Sequence, residues 1–236
     1  MRRFALLVLI IGLLVTACQP QAPEGTGAVP SPLPPTSTSV APIDLSPAQV
    51  AVLGALSDSL GLPLDQIAIV TTEAVDWSDS CLGIIHAHRE CQTVVTPGFR
   101  IILEANQLQY EYHTNQNGKQ ITGATLTLTW HREGGLAGFC DDAQIYLSGE
   151  VFGGSCKGGG NAYPVGQLSV DEMKQLADWA RAFGTVVVQS KDPAIADAMS
   201  LQLTFSGSGP TTATEADKTA LFNFAQAVYA KVKPCC

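Results

Sequence analysis

The chain has 236 residues, of which 46% are apolar, with 13 Lys and Arg against 21 Asp and Glu and a formal net charge of −8. That apolar content supports a folded core. The acidity excludes a phosphate-neutralising stripe, so nucleic acid is not an expected partner. Seven cysteines make the redox compartment the first question.

Taken from the start, Arg2 and Arg3 precede an apolar run over residues 4–15, and Thr16 and Ala17 lead into Cys18. The run is shorter than the roughly 20 residues that span a bilayer. This beginning resembles a bacterial lipoprotein signal peptide with a lipobox, in which a peptidase cuts before the cysteine and the cysteine carries the lipid. The resemblance implies a leader at residues 1–17, lipidation at Cys18, and attachment to the cell membrane on its extracytoplasmic face. Two or three acyl chains at about 0.8 kcal/mol per buried CH₂ would make that attachment nearly permanent. Loss of Arg2 and Arg3 with the leader takes the net charge from −8 to −10, so the membrane is met through the lipid rather than through the protein surface. Residues 18–43 are rich in Pro, Ser and Thr and poor in large apolar side chains. They read as a disordered, semi-stiff tether.

Folded structure is expected from residue 44. Ser46, Pro47 and Gln49 form a helix start with a capping box, Val50, Leu53, Leu56 and Leu60 form an apolar stripe, and Gly61 ends it. "QIAIVTTEAV", "QTVV", "FRIILEA" and "LQYEYHT" read as strands, with "TPG" and "NQ" as turns. In the last two strands Phe99, Ile101, Leu103, Leu108, Tyr110 and Tyr112 alternate with polar residues, His113 among them, which suits an antiparallel hairpin packed on the first helix.

In the second half, "TLTLTWHR" and "AQIYLSGEV" read as strands flanking "EGGLAGFCDD", and "GGSCKGGG" as a flexible turn. Ser169 with Glu172 starts a helix whose stripe is Met173, Leu176, Ala180 and Phe183. "LQLTF" is a strand, and a Thr214 cap opens a last helix through Leu221, Phe224, Val228 and Val232. The expected fold is α+β, with two small helix-plus-antiparallel-sheet domains at residues 44–121 and 122–236 after the tether.

Residues "VDWSDSCLG" and "VVTPGFRIILEANQLQYEYHTNQNG", from about Val75 to Gly118, resemble a recurrent module of uncharacterised exported bacterial proteins. Such proteins carry a Trp-Pro-Asp type segment, a Leu-Gly step, and Thr-Pro-Gly-Tyr-Arg and Tyr-Glu-Tyr-His-Thr strands. This chain has Ser78 in place of the proline and Phe99 in place of the tyrosine. The segment "TWHREGGLAGFCDD" is also similar to stretches of uncharacterised exported proteins. No activity comes with the likeness.

In an exported chain, the six cysteines other than Cys18 are expected to oxidise. Proximity favours Cys81 with Cys91 and Cys140 with Cys156, each closing a short loop. Cys235 and Cys236 are adjacent, and a bond between them would distort the shared peptide unit, so they are read as a strained, labile pair or as links between molecules.

His86 and His88 sit inside the Cys81–Cys91 loop, where an extended backbone would project both to one side as half of a zinc or copper site. A disulfide would remove the thiolates, leaving the two histidines and something distant such as His113, so a bridged loop without metal is expected. "GEVFGGSCKGGG" lacks the Gly-Lys-Ser/Thr ending of a phosphate loop. Cys156 beside Lys157, with His131 elsewhere, would make a nucleophile pair only if the Cys156 thiol were free. Asp141 and Asp142 are neighbours, and on a strand they point to opposite faces. Trp77, Trp130 and Trp179 are read as core or edge aromatics. No catalytic residue and no cofactor is assigned. The expectation is an anchored, non-catalytic binding or interaction module for a protein, peptide or envelope component. The alternatives are a hydrolase-type enzyme with residues assembled across domains, or a metal-binding lipoprotein using His86 and His88.

Overall fold

The computed structural model describes residues 44–157, 160–191 and 197–234. The leader, Cys18, the tether, Cys235 and Cys236 lie outside the described residues. The described residues form one compact unit, and the fold is α+β with two antiparallel sheets.

The first helix, α1 (Pro47–Leu60), starts where its cap directs. The Ser46 hydroxyl accepts from the Gln49 amide, the Gln49 side chain answers the Ser46 N–H, and Gly61 closes the helix in the left-handed conformation. Its buried face is Ala48, Val52, Leu53 and Leu56. Val50, expected on that face, is 56% exposed. The stripe is shifted because α1 packs on two supports at once, the hairpin formed by residues 96–115 on one side and the helix Val170–Ala182 on the other.

The first sheet has the order β1 (Ala68–Trp77), β2 (Thr96–Ala105), β3 (Leu108–Asn115), β4 (Ile121–Gly123). The β2–β3 turn is Asn106–Gln107, both at positive φ, the geometry of a tight hairpin. Ile101, Leu103, Leu108, Tyr110 and Tyr112 face the core. Two expectations fail here. Residues 92–95 form no strand, and Val95 is 68% exposed. Thr96, Pro97 and Gly98 are not a turn but the first residues of β2, paired with Trp77, Asp76 and Val75 of β1. The register explains it: Pro97 pairs with Asp76 of β1, and on its other edge its carbonyl accepts from the Gln116 N–H at 2.9 Å, so the N–H that proline lacks would point just past Asn115, the last residue of β3.

The second sheet runs β10 (Thr185–Ser190), β11 (Ser200–Ser206), β5 (Leu126–Gly134), β6 (Phe139–Tyr146), β7 (Glu150–Ser155), β8 (Asn161–Ala162), with β9 (Gly166–Gln167) also on β7. Gly153, Gly154 and Ser155 belong to β7 and are not a flexible turn. The strand "TVVVQS" of β10 was hidden from pattern reading because only Val186 among its six residues is buried. Helix α2 (Val170–Ala182) has the Ser169–Glu172 capping box and buries Met173, Leu176, Ala177 and Ala180 against α1. Helix α3 (Glu215–Val232) is capped by Thr214 with Asp217 and lays Leu221, Phe224, Ala225, Val228 and Tyr229 on the inner face of the second sheet. One continuous buried cluster contains Tyr110 and Ile101 of the first sheet together with Trp130, Ile145 and Phe205 of the second.

Candidate functional site

The Cys81–Cys91 loop leaves the first sheet and docks on the outer face of the second. Cys81 and Cys91 are joined with Cα atoms 5.5 Å apart, and Cys140 and Cys156 with Cα atoms 5.1 Å apart.

The root of the loop is built from the residues of the Trp-to-His motif. Trp77 Nε1–H donates to the Thr114 carbonyl at 2.9 Å, and its ring stacks on His113 with centroids 4.1 Å apart. Gly98 makes room for this, since a Cβ there would lie 1.8 Å from the Thr114 oxygen and 2.8 Å from Trp77 Nε1. The Asp79 carboxylate accepts from the Cys81 and Gly83 amides, and Leu82 is fully buried. His113 is buried rather than wet, donating from Nδ1 to the Leu82 carbonyl at 2.7 Å, with Nε2 2.9 Å from Glu111. It is therefore engaged at the root and not at the loop's tip.

At the tip the two histidines diverge. His86 is buried, stacked on Phe152 with centroids 3.6 Å apart and set edge-on to Tyr146. Burial, reinforced by the Arg89 guanidinium, holds its pKa down at about 4, and its Nδ1 has no partner. His88 has φ +59°, a left-handed conformation uncommon outside glycine, which His, Asn and Asp enter more readily than other residues. That twist breaks the alternation an extended loop would have, so the expected common side for His86 and His88 does not exist. His88 Nε2 lies 2.6 Å from Asp142 Oδ2. The Ala87 N–H donates to Gln144 Oε1 at 2.7 Å, and Arg89 donates to the Tyr163 carbonyl while lying over Phe152.

Gly154 of β7 and Gly160, just before β8, receive His88. A Cβ at Gly154 would stand 2.2 Å from His88 Cδ2, and one at Gly160 would stand 2.8 Å from Nδ1. The glycines thus admit an imidazole to the sheet surface. Cys156 is spent in its disulfide and Lys157 Nζ caps the β5–β6 turn at the Ala137 carbonyl, so neither forms a nucleophile pair with His131. Asp141 and Asp142 do point to opposite faces. Asp141 faces inward to Arg132, with Lys233 at 3.9 Å. Its burial raises the carboxyl, but Arg132, Tyr229 and Lys233 outweigh that and leave it below the usual range. Asp142 faces outward, directly opposite His131 across the β5–β6 ladder. A pocket of about 210 Å³ opens beside them, lined by Ala87, Thr129, His131, Asp142, Gln144, Gln202 and Thr204 among others.

The tryptophans divide as read: Trp130 is buried against Tyr229 and Phe222, Trp179 is edge-on to Phe224, and Trp77 anchors the loop. Pattern reading missed the polar row on the outer face. Its signal was the symmetry of the β5–β6 hairpin about Gly135–Gly138, which sets His131 against Asp142.

The fold and site define an α+β module in which a disulfide-closed loop is docked on the polar face of an antiparallel sheet. Residues 50–122 match a family described as "Domain of unknown function (DUF8738)", which is similar to the first sheet, α1 and the cysteine loop of this chain. Neither the curated proteins nor the solved structures offer a match.

Proposed function

We propose that the chain is an exported lipoprotein, held on the outer leaflet side of a cell membrane through Cys18, whose folded unit is a non-catalytic binding module. The observation that carries the reading is the combination of an Arg-led apolar leader ending at Ala17–Cys18 with two short-range disulfides in the folded unit. Disulfides of this kind persist outside the reducing cytoplasm. The surface offered for binding is the outer face of β11, β5 and β6, whose Gln202, Thr204, Thr129 and Gln144 present neutral hydrogen-bonding groups beside a shallow pocket. Groups of that kind suit a polar partner such as a peptide or an envelope component.

Two measurements test this. Metabolic labelling with a fatty acid marks the wild type and not Cys18→Ala, because the thiol is the acyl acceptor. Equal labelling of both removes the anchor from the proposal. With the full chain as bait in intact membranes, a partner captured by the wild type and lost in the double variant Gln202→Ala/Thr204→Ala supports the binding face. Capture that survives the double variant places binding elsewhere.

A further inference from the structure

The polar row on the second sheet has a composition that binding through neutral groups does not use. Register sets His131 of β5 opposite Asp142 of β6, and Asp142 opposite Gly154 of β7. At the Gly154 position the row would otherwise end in a blank. His88 fills it from above, with its ring where a side chain at residue 154 would stand. The result is a line of imidazole, carboxylate and imidazole contributed by two strands and a disulfide-closed loop.

We propose that His88, Asp142 and His131 form a binding site for a divalent transition-metal ion of the zinc or copper(II) class. Two imidazoles and one carboxylate are a donor set such ions take. His88 Nε2 is 2.6 Å from Asp142 Oδ2. A ligand atom of His131 lies within 4.8 Å of the Asp142 carboxylate. Ligand atoms about 2.0–2.2 Å from one tetrahedral ion stand a little over 3 Å apart, so an ion at Asp142 would have to draw in the His131 ring from one side and the His88 ring, which stands outside the group of His131, Asp142 and Cys156, from the other. The Cys156 sulfur lies within 4.8 Å of the His131 and Asp142 ligand atoms, a group that does not include His88, but it is bonded to Cys140 and supplies no thiolate.

Three further observations favour an ion over a simple ion pair. Asp142 Oδ1 is buried with no hydrogen-bond partner, an expensive state for a carboxylate oxygen. His131 is one-third exposed at the pocket, where an ion could reach it, with the Glu133 carboxylate 3.5 Å from its Nε2. His88 holds a left-handed backbone conformation, strain of a sort that functional positions retain. The adjoining pocket gives the ion an entry and leaves room for water at its open positions.

The test is a Zn²⁺ titration of the tag-free full chain, disulfides intact and any free thiols alkylated, against a chromophoric chelator. One ion per chain is expected, with affinity at least about tenfold weaker in His88→Ala, Asp142→Asn and His131→Gln and unchanged in His86→Phe. Binding weakens as the solution is acidified, because protons compete with the ion for imidazole lone pairs. Should a variant misfold, ring resonances of His88 and His131 in the wild type decide: both shift at one equivalent of Zn²⁺. No stoichiometric binding, binding equal in all three variants, or ring shifts at neither histidine overturns the proposal.

Discussion

His86 and Gly154 show how much one atom's surroundings decide. His86 keeps its neutral ring between Phe152 and Tyr146, and burial with Arg89 lowers its pKa to about 4. In the unfolded chain the ring takes a proton near pH 6.5. The unfolded state therefore binds more protons between about pH 6.5 and 4, and stability falls as pH falls through that window. His86→Phe preserves the stack and removes the proton. Melting temperature measured from pH 7.5 to 4 should fall less steeply for the variant than for the wild type, and parallel curves would contradict this assignment. At Gly154 a methyl group meets His88 Cδ2 at 2.2 Å. Gly154→Ala should destabilise by about 1–3 kcal/mol, as overpacking does, and should release His88 from Asp142, an event visible as a change in the His88 ring resonances.

The elements carry the family-like motif. Trp77, Asp79, Leu82, Gly83, Gly98 and His113 knot the end of β1, the loop root and β2–β3 together. Their role is architectural: they aim the cysteine loop at the second sheet. Opening the loop by Cys81→Ser with Cys91→Ser should cost about 2–4 kcal/mol, measured by denaturant unfolding. Gly98→Ala should cost more, because the obstructing atom is the backbone oxygen of Thr114, which cannot swing aside. A Gly98→Ala protein as stable as the wild type would refute the account of the motif. Much at this scale was legible in the sequence. The helix starts were marked by Ser46 with Gln49, Ser169 with Glu172 and the Thr214 cap, and the Asn106–Gln107 turn by its neighbours' alternation. Strand β10 and the extension of β2 through Pro97 were not legible, since an exposed edge strand buries too little to show a period and a proline ordinarily signals a turn.

Across the molecule, the two sheets are joined by Glu150. This residue opens β7, and its carboxylate accepts from the Gly123 N–H of β4, Ser148 Oγ and Thr122 Oγ1. Burial raises its pKa more than those donors lower it. A raised carboxyl holds its proton longer in the folded state, so the stability it adds is fully present below the unfolded value and is lost as pH rises through the folded one. Glu150→Ala leaves the buried Gly123 amide without its acceptor and should cost about 1–3 kcal/mol. Glu150→Gln keeps an acceptor, should cost less, and should flatten the pH dependence above pH 4.5 in thermal melts. Equal melts for both variants would mean that the bridge between sheets is incidental.

The sequence by itself determined what depends on neighbours along the chain: the helix caps, the hairpin alternation, the α+β class and the favoured pairing of the close cysteines. Only the tertiary structure decided what depends on residues brought from far away. His88 meets Asp142 across 54 positions and His113 meets Leu82 across 31, and no local period encodes either contact. The physical reason is that a side chain's burial, charge and hydrogen-bond partners are set by the surface it lands on. Here a left-handed residue in the loop and a glycine in the opposing strand chose that surface, setting one histidine against Phe152 and Tyr146 and the other onto a carboxylate.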